Sequence, residues 1–104
     1  NFDVIVSADV FEHIEPKYLN ETLDLISNKM QKSGWFRIAC YPAKKHLPDG
    51  RNAHLIVELP EWWRARILDV MNVTIVKEEI SVFDKSHKWP DIKGYNYDVV
   101  VEVK

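Results

Sequence analysis

The chain predicts an α/β fold, ordered strand–helix–strand–helix–strand–strand, and three observations carry that expectation. Val4-Ile5-Val6 is an uninterrupted apolar run of the kind found in parallel strands buried between layers of helices. Leu19, Leu23, Ile26 and Met30 then recur at helical spacing. Two β-rich runs close the chain with a polar stretch and no helix between them, which calls for an antiparallel hairpin.

The first strand is Phe2 to Ser7, expected to be covered on both faces. Pro16 fits the first turn of a helix, where its missing N–H costs nothing. Asn20, Glu21, Asp24, Asn28 and Lys29 take the polar faces of that helix, and Gly34 is expected to end it. Trp35 to Tyr41 reads as the second strand, closed by Pro42, so the strand–helix–strand unit should be parallel and right-handed. Residues 42–59 carry no clean period and include Pro42, Pro48, Asp49-Gly50 and Asn52; a loop this long is usually functional or mobile. Pro60 starts a second helix running to about Met71, with Trp63, Ile67 and Val70 on one face. Val73 to Phe83 is a third strand in which Lys77-Glu78-Glu79 marks a bulge or an exposed stretch. Residues 84–94 are a polar connection, and Tyr95 to Val103 is the last strand, with Tyr97, Val99, Val101 and Val103 alternating.

A length of 104 residues allows one domain, 1–104, and 46% hydrophobic residues give it enough apolar material to fold. The formal charge of −2 argues against a broad nucleic-acid footprint, although Lys44, Lys45, Arg51, Arg64 and Arg66 fall close together. Cys40 is the single cysteine, so no intramolecular disulfide forms, which fits a reducing compartment. No apolar run approaches the length of a membrane span and no signal peptide is present. A cytoplasmic protein without membrane partners is expected. No Ser-His-Asp set, CxxC pair, phosphate loop or GxGxxG occurs.

The opening stretch Asn1-Phe2-Asp3-Val4-Ile5-Val6-Ser7-Ala8-Asp9-Val10-Phe11-Glu12-His13-Ile14 runs from an apolar strand into an acidic turn and a Glu-His pair. It resembles the fourth strand, and the loop after it, of class I S-adenosylmethionine-dependent methyltransferases. The order of elements downstream resembles the second half of their sheet, in which the last strand inserts antiparallel beside the fifth. The resemblance implies a truncated Rossmann-like methyltransferase sheet that begins at the fourth strand. The Gly-rich turn and ribose-binding acid of that family have no counterpart in the 104 residues. It also implies that Ser7, Ala8 and Asp9 border the S-adenosylmethionine cleft, and that the chain alone binds the cofactor weakly or not at all. The methyl acceptor, a small molecule or a nucleic acid, is not identified by the sequence.

The residues themselves leave alternatives open. Asp9 could cap the helical turn that follows it. Glu12 and His13 could order the loop, or His13 could act as a general base toward a hydroxyl or amine with Glu12 beside it. No metal is assigned. One could bind only if Asp9, Glu12 and His13, at i, i+3 and i+4, were joined by His54 from the long loop, and His54 is expected to lie apart. Trp63 falls on the Ile67 face and belongs to the core, which leaves Trp62 to pack under the long loop or in an interface. His46 and His87 are expected in solvent, and Cys40 is expected to be buried. A Val-Ile-Val edge with no Pro or Lys to blunt it predicts a homo-oligomer joined through the first strand. Two rival functions remain: an oligomeric interaction module of methyltransferase ancestry, and a metal-binding domain.

Overall fold

The computed structural model describes residues 1–84 and 93–104. Its regular elements are β1 (Phe2–Ala8), α1 (Leu19–Lys29), β2 (Met30–Cys40), α2 (Pro60–Val70), β3 (Val73–Asp84) and β4 (Lys93–Val103). Short 3-10 turns at Phe11–His13 and Pro16–Tyr18 link β1 to α1. The strands form one mixed sheet in the order β1-β2-β4-β3. β1 and β2 are parallel, while β4 lies antiparallel to both of its neighbours. The α/β class, the element order and the C-terminal hairpin agree with expectation. Pro90 and His87 lie outside the described residues.

Alternation sorts the sheet into two faces. Phe36, Ile38, Val99, Val101 and Tyr97 are buried on the face that also takes Leu19, Leu23, Trp63 and Ile67 from the two helices. Tyr97 donates its hydroxyl to Glu78 Oε2 at 2.6 Å, and Arg64 of α2 reaches Glu78 Oε1 at 3.2 Å, so one carboxylate ties α2 to β3 and β4. α1 and α2 are joined by Arg66 Nη1 donating to Asn20 Oδ1 at 2.8 Å.

Among the described residues the other face carries no helix. Val4 and Val6 are 55% and 63% exposed, beside Trp35, Arg37 and Asp98. The expectation that β1 is covered on both faces therefore fails, because both helices pack on the same side. The apolar face of α1, by contrast, is covered: Leu19 and Leu23 are fully buried and Ile26 packs against the core.

Gly34 does not end α1. The helix stops at Lys29, and Met30 already pairs with Phe2 in the parallel ladder. Pairing with β1 outweighs the helical spacing that made Met30 look like a fourth helical contact. Gly34 sits inside β2 on the helix-covered face, where a Cβ would come within 2.7 Å of Met30 Sδ and 2.8 Å of the Phe36 ring. The glycine is a matter of space rather than of a turn. The bulge in β3 falls between Ile75 and Lys77, at the edge of the stretch anticipated for it.

Candidate functional site

β1 and β2 run parallel, so their carboxyl ends lie at one end of the sheet, where ligands bind in open α/β folds. β1 stops at Ala8, and Asp9 turns the chain away with φ 59°, donating its N–H to Arg37 O at 2.9 Å. Aspartate is among the few residues that take this left-handed conformation readily. β2 continues three residues beyond Arg37, so its next N–H on that side, at Ala39, has no strand partner. Glu12 supplies one: its Oε1 accepts from Ala39 N at 3.3 Å. The carboxylate is completely buried, and burial pushes its pKa above the ordinary 4.5. Its second oxygen, Oε2, has no hydrogen-bond partner.

Residues 42–59 have a definite internal structure. Leu47 N bonds Arg51 O at 2.7 Å, Ala53 N bonds Lys45 O at 3.0 Å, and His46 pairs with Asn52 across a small hairpin. Gly50 makes its turn at φ 92°. Asn52 stabilises the base, with Oδ1 accepting from Ala43 N and His54 N, both at 2.9 Å, while Nδ2 donates to Ala43 O. Three links then dock this loop onto the segment after β1. Arg51 forks onto both oxygens of Glu15 at 2.8 and 2.9 Å, Ile56 N bonds Glu12 O at 3.1 Å, and His13 Nδ1 meets Ala53 O at 2.9 Å.

The docking brings His54 to the Glu-His turn. One ligand atom each from Glu12, His13 and His54 lies within 4.8 Å of the others, and Glu12 Oε2 is 3.7 Å from His13 Nε2. The His13 and His54 rings meet edge to face with centroids 4.7 Å apart. His54 Nδ1 meets Tyr41 O, as His13 Nδ1 meets Ala53 O. A carbonyl only accepts, so both Nδ1 atoms carry a proton, and Nε2 is the nitrogen on which each neutral ring holds its lone pair. The expectation that His54 lies apart is thus corrected: a hairpin latched at both ends carries it in.

Asp9 does not join the group. Its left-handed turn breaks the helical spacing that would have aligned it with Glu12 and His13, because the 3-10 turn begins only at Phe11. Nor does it cap that turn, whose N-cap position is Val10 and which has no side-chain cap bond. Ser7 is half-buried, and Ala8 and Asp9 are exposed, at the carboxyl end of β1. The basic stretch disperses: Arg51 pairs with Glu15 and Asp49, Arg64 pairs with Glu78, and Arg66 stacks over Trp62 at 4.7 Å. Trp63 is core, while Trp62 borders a cavity lined by Leu55 to Glu58 of the long loop. His46 is exposed and Cys40 is buried, its thiol pushed up to about 12 by burial. Asn52 and Arg51 carry no chemistry, yet they build the site. Asn52 among turn residues was the sequence signal for the first.

No known protein-family model matches the chain, and no curated protein matches it. Among the described residues no helix is long and apolar enough to cross a membrane.

Proposed function

We propose that this chain is the C-terminal portion of an S-adenosylmethionine-dependent methyltransferase of class I. The place of the last strand carries the reading: β4 lies antiparallel beside β2, between it and β3, as the last strand does beside the fifth in that family. The open side of β1 agrees with this. In the parent sheet the first strand pairs there, and a doubly wound sheet carries helices on both faces. Among the described residues that edge of β1 has no partner strand and that face of the sheet has no helix.

In this reading Ser7, Ala8 and Asp9 border the cofactor at the end of β1. The Glu12, His13 and His54 group stands on the acceptor side of the same cleft. Methyl transfer from a sulfonium needs alignment of donor and acceptor more than covalent help. What the cluster adds is a place for the acceptor's proton: His13 is 45% exposed, and its Nε2 lone pair is the reachable one beside the buried carboxylate.

The coding DNA upstream of the Asn1 codon tests the assignment. An in-frame Gly-rich strand–turn–helix is the expected finding. A start codon and ribosome site immediately before Asn1 would favour a stand-alone interaction module instead. Calorimetric titration of the 104-residue chain with S-adenosylhomocysteine is expected to give no dissociation constant tighter than millimolar, because Ser7 to Asp9 supply only one edge of a cleft. A micromolar constant would contradict that.

A further inference from the structure

We infer that Glu12, His13 and His54 form a binding site for a divalent transition-metal ion of the zinc type, with at least one coordination position open to solvent. Three groups able to donate an electron pair converge here. Both imidazoles have their protons committed to carbonyls at Nδ1, which leaves Nε2 as the only lone pair each ring can offer. Glu12 presents a fully buried oxygen with no hydrogen-bond partner, 3.7 Å from His13 Nε2. A carboxylate oxygen deprived of water and of every donor is costly, and a cation among the three groups removes that cost. Two imidazoles with one carboxylate suit zinc and its neighbours, and three protein ligands leave room for a water or a substrate oxygen.

The surroundings are those of metal-binding histidines, whose second ring nitrogen is held by a carbonyl that fixes tautomer and orientation. Glu12 is held in the same way, its Oε1 anchored by Ala39 N. Ligands on a tetrahedral ion at about 2.1 Å stand roughly 3.4 Å apart. The 3.7 Å between Glu12 and His13 already approaches this, and the other separations, all within 4.8 Å, close by at most roughly 1.4 Å. Such a shift is within reach of the exposed His13 side chain. Asp9 has no part in the site.

This inference rests on the cluster alone and needs no methyltransferase assignment, although a metal on His13 Nε2 would take the lone pair given above to the acceptor's proton; its test uses no methyl donor. Chelator-treated protein is titrated with zinc by calorimetry, with histidine nitrogen spectra of the wild type recorded before and after. One zinc per chain is expected, with the Nε2 resonances of His13 and His54 shifting while their Nδ1 atoms stay protonated. His54→Ala should weaken binding about 100-fold, the upper end of the loss seen when even the supports of a metal ligand are removed. His46→Ala, an exposed histidine outside the cluster, should leave it unchanged. Absence of binding, binding that His54→Ala leaves intact, or nitrogen shifts confined to other histidines would each overturn the site. Should His54→Ala fail to fold by circular dichroism, the wild-type nitrogen spectra decide the matter alone.

Discussion

Glu12 is the residue on which sequence and structure diverge most. Its neighbours in the chain mark it as one half of a loop-ordering or acid–base Glu-His pair with no sign of burial, whereas the structure buries it completely. The reason is an accident of strand length: β2 outruns β1, and a carboxylate is needed to receive the Ala39 N–H. No local pattern encodes that need, so the pair was legible and its burial was not. Burial raises the pKa of Glu12 in the folded chain, so the sign of its pH effect follows directly. Its contribution to stability is fully present below the ordinary 4.5 and is lost as pH rises through the folded-state value. In metal-free protein, Glu12→Gln keeps an acceptor for Ala39 and never ionises. Urea unfolding in chelator is therefore expected to show wild type falling behind this variant as pH climbs from 4 toward 8. A gap that stays constant would contradict the sign. Glu12→Ala, by contrast, leaves the Ala39 N–H without an acceptor and should cost about 1–3 kcal/mol near pH 4, a gap that narrows as pH rises and the wild type loses stability.

At the scale of elements, periodicity found both helices and all four strands but misplaced the junction between α1 and β2. Gly34 and Met30 changed roles because strand pairing with β1, a contact across the sequence, decides where the helix stops. The long loop was legible as a loop from its Pro, Gly and Asn content, but its latch was not, since Arg51 and Glu15 are 36 residues apart. That latch yields a prediction. Arg51 holds the carboxyls of Glu15 and Asp49 below their ordinary values of 4.5 and 3.8, so the stability they contribute is present above those values and lost as pH falls through the lower, folded ones. Arg51→Ala should flatten that acid limb and speed amide exchange at Ala53 and Ile56, whose bonds depend on the loop's position. Unchanged exchange at both amides would mean the loop docks without it. Gly94 tests the neighbouring joint. A Cβ there would stand 2.5 Å from Cys40 O, a backbone atom of the partner strand that cannot move aside cheaply. Gly94→Ala should destabilise the fold by about 1–3 kcal/mol in denaturant melts.

For the whole molecule, the decisive fact is that, among the described residues, the sheet has helices on one face only. The sequence anticipated a sheet buried on both sides because Val4-Ile5-Val6 is apolar throughout, and apolarity in a strand records what is covered in the finished protein. Here Ile5 reaches the core, while Phe2, Val4 and Val6 are 59%, 55% and 63% exposed. β1 is also an edge, so among the described residues its outward N–H and C=O groups have no strand to pair with. An uncharged edge that also bears an apolar stripe is a template for another chain. If the methyltransferase reading holds, an upstream strand and its helices occupy this place in the full protein. In the 104-residue chain alone, the natural occupant is a second copy. Antiparallel pairing of β1 with itself about a two-fold axis satisfies both edges at once and runs one sheet through a closed dimer. Light scattering at high micromolar concentration should then give about twice the 12.2 kDa of the chain or more. Val6→Lys is expected to return it to a monomer, because two like charges would face each other near the axis on a face that now repels its copy. The substitution lies on the bare face and away from the core, so circular dichroism should be unchanged. A wild-type chain that stays monomeric at that concentration would refute the pairing.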